Sequence, residues 1–306
     1  MTGALPEYIE HRYADLGGVR LHYAEAGEGP LVVLLHGFSQ FWYMWRSQIP
    51  ALVEAGFRVV APDLRGYNLS DKPPKVSDYR VEMLACDVER LIRACGEESA
   101  AVVGHDWGAI VALFTAMLYP KRVAKLAILN VPHPARFVRG LREPEQLRKS
   151  WYVFALQVTG PPGRWIERKV FARFLLDIRR DPARPGAFTE EDIGLYRRAM
   201  TRPGSLTAAC NYYRALLRRN PERTRALLRK IEAPTLVIWG EKDRYLSSEV
   251  AEPDRAWGFP ISVSSGSPTR ATGRGGQPCG GQHPPYRPPE WSVARFATGP
   301  GVCPRC

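Results

Sequence analysis

Long apolar runs are missing from this 306-residue sequence. The stretches Leu31 to Leu35 and Ile110 to Phe114 fall far short of the roughly 20 residues that span a bilayer. The N-terminus carries Glu7, Glu10, His11 and Arg12 where a secretion signal needs an apolar segment. No membrane span and no signal are therefore expected. Cysteine is scarce: six residues, half of them within the last 28, are too few and too scattered for a disulfide scaffold, so a cytoplasmic location is expected. Acidic residues are sparse in one region. From Ala135 to Lys230 there are 22 basic and 9 acidic side chains, which accounts for the whole net charge of +12. No aromatic-interleaved RNA module, helix-turn-helix or finger spacing accompanies them. Arg214, Arg218, Arg225 and Arg229 fall at helical spacing, so the excess reads as a solvated basic face and not as a nucleic-acid site, with contact to an acidic surface left open.

With 45% hydrophobic residues, the chain has enough apolar material for a sizeable core. Tyr8 to Leu16 and Val19 to Ala26 look like an antiparallel pair joined at Gly17-Gly18. Leu31 to Leu35, Arg58 to Ala61, Ala101 to Val103 and Leu126 to Val131 are continuous apolar runs of the kind buried on both faces. Amphipathic stretches near Trp45 to Glu54, Arg80 to Cys95 and Ala109 to Tyr119 separate them. The alternation predicts an α/β fold with a mostly parallel, doubly wound sheet. Pro132-His133-Pro134 ends it. From there to Lys230 the chain reads as helices with Arg-rich faces, and Pro234 to Trp239 resumes the sheet. The expected organisation is a core of residues 1–133 and 231–256, a helical insertion over 134–230, and a tail over 257–306. That tail holds 9 Gly and 9 Pro with no Leu, Lys or Asp, and reads as mostly disordered.

Gly104-His105-Asp106-Trp107-Gly108 lies between a predicted strand and a predicted helix, the context of the nucleophile elbow G-x-S-x-G with Asp in the serine position. Such a turn lifts the central side chain over the strand end, at the positive end of a helix dipole. A carboxylate there can attack without a general base. His36-Gly37-Phe38 closes the strand Leu31 to Leu35, and Asp243 follows the resumed strand in Trp239-Gly240-Glu241-Lys242-Asp243.

On these motifs, with Asp63-Leu64-Arg65-Gly66-Tyr67 and Ser70, the sequence from about Tyr8 to Trp257 resembles the α/β-hydrolase family and, within it, the epoxide hydrolases. The resemblance implies an α/β-hydrolase fold in which the insertion is a cap. It makes Asp106 the nucleophile, Asp243 the charge-relay acid, and the backbone N–H groups of Phe38 and Trp107 the oxyanion hole. One tyrosine from each of two cap helices would donate to the epoxide oxygen: Tyr152 in Ser150-Trp151-Tyr152-Val153-Phe154, and Tyr213 in Asn211-Tyr212-Tyr213-Arg214. Leu206, Ala209, Cys210, Tyr213 and Leu216 share one helical face, which points Tyr213 with the apolar stripe. The implied partners are a small-molecule epoxide and water, with no cofactor and no metal.

The pattern breaks after Asp243. The resemblance implies a general-base histidine about 25 to 30 residues past the acid, in a small-residue-His-Trp context. Of the six histidines (His11, His22, His36, His105, His133, His283) only His283 follows Asp243, 40 residues on, within Gln282-His283-Pro284-Pro285. The expected last strand and closing helix are missing from the pattern too. A frameshifted read of an ordinary hydrolase ending, from about Trp257, accounts for all of this. Arg270-Ala271-Thr272-Gly273 can be written CGG GCC ACT GGG, and an adjacent frame then reads Gly-His-Trp, with the histidine codon across Ala271 and Thr272, 28 residues past Asp243. Ser39 also stands where the family usually has proline, which predicts a less constrained oxyanion loop. Three other readings stand beside the epoxide one: a zinc clip of Cys279, His283, Cys303 and Cys306, a haloalkane dehalogenase, and an inactive pocket protein that binds epoxides.

Overall fold

The computed structural model describes residues 7–134, 136, 143–180, 187–218, 220–240, 245 and 261–265. Eight strands form one sheet: β1 (Glu10–Asp15), β2 (Arg20–Ala26), β3 (Leu31–Leu35), β4 (Arg58–Pro62), β5 (Ala100–His105), β6 (Val123–Leu129), β7 (Thr235–Trp239) and β8 (Ile261–Ser265). Their order is β1-β2-β4-β3-β5-β6-β7-β8. β1 and β2 pair antiparallel, as do β2 and β4, and every other pairing is parallel. The parallel centre is buried on both faces: Val32, Val33, Leu34 and Leu35 of β3 and Val102 and Val103 of β5 are fully enclosed. That is why these strands read as continuous apolar runs and not as an alternation.

Helices α1 (Gln48–Glu54), α2 (Val81–Ala94) and α3 (Trp107–Leu118) cross between the strands. α2 buries Val81, Leu84, Ala85, Val88, Leu91 and Ile92, the spacing of one helical face. α3 has no charged residue. It packs against β3, β5, β6 and α2, and only Ile110 and Leu118 of it are not fully buried.

Among the described residues, six helices lie between β6 and β7: α4 (Pro144–Lys149), α5 (Trp151–Ala155), α6 (Gly160–Arg180), α7 (Glu190–Thr201), α8 (Ser205–Leu217) and α9 (Pro221–Arg225). A reciprocal cap starts α7, with the Thr189 hydroxyl accepting from the Asp192 N–H and the Asp192 carboxylate accepting from the Thr189 N–H. Several bonds fasten these helices to the core, among them Tyr212 donating to the Arg65 carbonyl at 2.7 Å, Arg202 Nε to Asn68 Oδ1 at 2.9 Å and the Tyr43 hydroxyl to Asp192 Oδ1 at 2.8 Å.

Two expectations are overturned. The last strand is present: β8 pairs in parallel with β7 from Thr235–Ile261 to Trp239–Ser265. The rest of the expected tail lies outside the described residues. Arg214 is also not on a solvated face but 3% exposed. Its guanidinium meets Glu167 Oε1 at 2.7 Å, the Leu156 and Val158 carbonyls at 2.9 Å each, and Asn211 Oδ1 at 3.1 Å, a set that replaces its lost water.

Candidate active site

β5 ends at His105 and α3 begins at Trp107, leaving Asp106 alone in the turn with φ 49° and ψ −122°. A side chain seldom adopts such a backbone, and strain of this kind persists where surrounding structure dictates it. Here the close approach of β5, β3 and α3 does so. A Cβ on Gly104 would lie 2.3 Å from the Gly108 carbonyl oxygen, and one on Gly108 would lie 2.1 Å from that of Leu35. The Asp106 carbonyl accepts from the Ala109 and Ile110 N–H groups at 2.9 and 3.1 Å, which anchors the start of α3. Trp107, the first residue of α3, supplies one of the helix-initial N–H groups that have no acceptor within the helix.

Phe38, after β3, donates its N–H to Asp106 Oδ2 at 2.7 Å. Gly37 allows this approach, because a Cβ there would stand 2.6 Å from Asp106 Cβ and 2.8 Å from Oδ2. His36 fixes the loop from beneath. Its Nε2 accepts from the Leu64 N–H at 3.0 Å, so the proton sits on Nδ1, which donates to the Gly37 carbonyl at 2.9 Å. Burial lowers the His36 pKa to about 4 and keeps the ring neutral.

The expectation of a less constrained loop is corrected here. Ser39 has φ 61°, a conformation closed to proline, and it is buried. Gln40 secures the turn instead, its side-chain carbonyl accepting from the Gly37 N–H at 3.2 Å and lying 3.2 Å from His105 Nδ1.

Tyr213 of α8 packs edge-on to Phe38 and to Trp107, with ring centroids 5.2 Å away in each case. Burial pushes its hydroxyl well above the usual tyrosine range, with the charges of Asp106 and Tyr152 adding to the effect, so it stays protonated and able to donate. The neighbouring Tyr212 faces the Arg65 carbonyl instead. Tyr152 of α5 lies edge-on to Tyr213 at 5.6 Å. Asp106, Phe38, Trp107, Tyr152 and Tyr213 are thus brought together from β3, the elbow, α5 and α8.

Sequence reasoning missed three neighbours. Phe174 of α6 meets Phe38 at 5.1 Å and Tyr152 at 5.4 Å, and Tyr245 stacks on Phe174 at 4.9 Å. The third is Gln40. The heptad-like recurrence of Val170, Phe171, Phe174 and Ile178 would have assigned Phe174 to a buried face, but no local signal names its partner across the site. Asp243 and His283 lie outside the described residues. On either side of Asp243, the Gly240 N–H donates to Asn130 Oδ1 at 3.0 Å and the Tyr245 hydroxyl donates to Asp177 Oδ2 at 2.7 Å. Among the described residues no cluster of His, Cys, Asp or Glu could hold a metal ion. Cys279, His283, Cys303 and Cys306 lie outside them.

The sequence profile of the family described as alpha/beta hydrolase fold matches residues 30–263, a stretch that ends within β8. The AB hydrolase superfamily protein YfhM of Bacillus subtilis is 41% identical over 251 residues, which cover 80% of this chain and 85% of that protein. Epoxide hydrolase 4 of Homo sapiens is 36% identical, over 81% of this chain and 69% of its own length. Among solved structures, a single-site mutant of an epoxide hydrolase from Bacillus megaterium superposes with a TM-score of 0.74 at 33% identity, covering 84% of this chain and 92% of that one. An epoxide hydrolase from Vigna radiata superposes with a TM-score of 0.71 at 32% identity, covering 85% and 92%. The chain belongs to the alpha/beta hydrolase fold family and, within it, is similar to the epoxide hydrolases.

Proposed function

We propose that the chain opens epoxides through an ester on Asp106. A carboxylate oxygen of Asp106 attacks an epoxide carbon, the ring C–O bond breaks, and the leaving oxygen is received by hydrogen bonds from the Tyr152 and Tyr213 hydroxyls. Residues 134–230 act as the cap that carries both tyrosines. In the second step, water adds to the ester carbonyl while the Phe38 and Trp107 N–H groups hold the oxyanion, and collapse releases a vicinal diol and the free Asp106 carboxylate. That water needs a base oriented by Asp243. His36 and His22 are engaged elsewhere, with Leu64 and Gly37 and with Asp63 respectively, and only His283 follows Asp243 in the sequence. The second step is accordingly slow in this chain, and the ester accumulates.

The observation that carries this reading is the 2.7 Å bond from the Phe38 N–H to Asp106 Oδ2, beneath a tyrosine packed on both oxyanion residues. The tyrosine pair favours an epoxide over a haloalkane, whose leaving halide needs no donor of that kind.

The test is intact mass before and after exposure to styrene oxide, with Asp106→Asn as control. A persistent gain of one epoxide mass, absent from the control, is the expected result. Steady diol formation without an adduct would overturn the slow second step and point to His283. Neither adduct nor diol would overturn the epoxide reading itself.

A further inference from the structure

The helix that contributes Phe174 to the site has a second face with a different composition. α6 turns Val170, Phe171, Leu175 and Ile178 inward. Its two acids are also inward and engaged, Glu167 with Arg214 and Asp177 with the Tyr245 hydroxyl. What remains outside is Arg164, Trp165, Arg168, Lys169, Ala172, Arg173, Leu176, Arg179 and Arg180, a solvent face over 21 residues without one acidic side chain. Arg173 shares Asp177 at 3.2 Å and Arg179 meets Glu190 at 2.8 Å. Among the described residues no carboxylate pairs with Arg164, Arg168 or Lys169.

Large apolar side chains interrupt this basic face. Trp165 is 62% exposed, with Lys169 Nζ 5.4 Å from its ring centroid. Leu176, 39% exposed and eleven residues further on, falls on the same helical face as Trp165. Exposed tryptophan costs free energy in water, and a face chosen only for solubility would not carry it. Basic residues interleaved with Trp and Leu are the composition of a helix lying in a membrane interface. There the rings sit at headgroup depth and the cations meet anionic lipid. Nucleic acid would be matched by the charge but leaves the aliphatic Leu176 without a role.

We propose that the solvent face of α6 docks the protein on the surface of an anionic phospholipid bilayer. No described helix is long and apolar enough to cross one, so the attachment is peripheral. The docking helix also walls the active site through Phe174. A bound molecule therefore has that site one helix thickness from the lipid, where apolar small molecules concentrate.

Flotation of the full chain with vesicles tests this, comparing pure phosphatidylcholine with phosphatidylcholine containing phosphatidylserine. The expected result is binding to the anionic vesicles only, weakened by added salt. The triple variant Arg164→Gln, Arg168→Gln, Lys169→Gln should lose about 100-fold in affinity, since each basic residue near such a surface is worth about fivefold. Trp165→Ala should lose about tenfold at unchanged thermal stability. No flotation at low salt, equal binding to neutral vesicles, or binding indifferent to Trp165→Ala would each overturn the proposal. So would a solution dimer that protects Trp165 from quenching, or tighter capture by duplex DNA than by the vesicles.

Discussion

Gly37 and His36 show how narrowly single residues define this site. Gly37→Ala places a methyl group 2.6 Å from Asp106 Cβ, and both atoms belong to constrained backbone turns. The Phe38 N–H can then no longer reach Asp106. Hydrolysis of the Asp106 ester should fall by about 100-fold, as when one oxyanion donor is removed, while the variant still unfolds cooperatively; decay of the adduct mass paired with a urea curve checks both. His36 makes a prediction about pH. Its folded pKa of about 4 lies below the ordinary 6.5, so between those values the unfolded chain takes up a proton that the folded one refuses. Its contribution is complete above pH 6.5 and is lost as pH falls towards 4. Between pH 7 and 5 the loss should reach about 2 kcal/mol in urea unfolding. His36→Asn, though weaker overall, should show a shallower decline over the same interval. An unchanged slope would show that other groups set the acid sensitivity.

At the scale of elements, the joint between α6 and α8 rests on Glu167 and Arg214, both nearly inaccessible to solvent and 2.7 Å apart. Thr207 adds a hydroxyl donor to Glu167 at 2.9 Å, and Arg214 also holds the carbonyls that end the α5 segment. Truncating one partner strands a buried charge, whereas replacing both removes the desolvation cost as well as the attraction. Arg214→Leu alone should therefore destabilise the fold by about 3 kcal/mol, and adding Glu167→Leu should restore much of the loss. Equilibrium unfolding of both variants decides it, and equal destabilisation by the single and the double change would refute the account.

For the whole molecule, β8 determines whether β7 is an interior or an edge strand. Its five parallel register pairs, Thr235 with Ile261 through Trp239 with Ser265, cover the backbone groups of β7 that would otherwise template aggregation. A chain cut after Ser265 should keep the parent's melting temperature within a few degrees. One cut after Pro260 should melt roughly 5 °C lower or more and aggregate on heating. If both truncations behave alike, β8 contributes nothing to the edge. A frameshifted ending from about Trp257 remains a proposal, and the family match ends six residues beyond that point, at residue 263, within this strand. Genomic sequence lacking an overlapping Gly-His-Trp near Ala271 and Thr272 would remove that explanation of the tail altogether.

The sequence by itself determined the strands from β1 to β7 and the elbow. Burial on both faces demands unbroken Val, Leu and Ala runs, and a turn as tight as that around Asp106 needs glycine two positions to either side of it, so both leave a local signature. Helical phase also put Tyr213 on the apolar stripe of its helix, while its choice as a site residue rested on the resemblance. Only the tertiary structure decided that Arg214 is buried, because its counter-charge Glu167 is 47 residues away and a guanidinium at helical spacing looks the same exposed or paired. Likewise it alone paired Phe174 with Tyr245 and seated Ser39 at positive φ. It found β8 in a Gly- and Pro-rich context, since a short strand added to an existing parallel edge draws its hydrogen bonds from β7 and needs little propensity of its own. Local chemistry is written along the chain, whereas a pairing across the fold depends on what the other side presents.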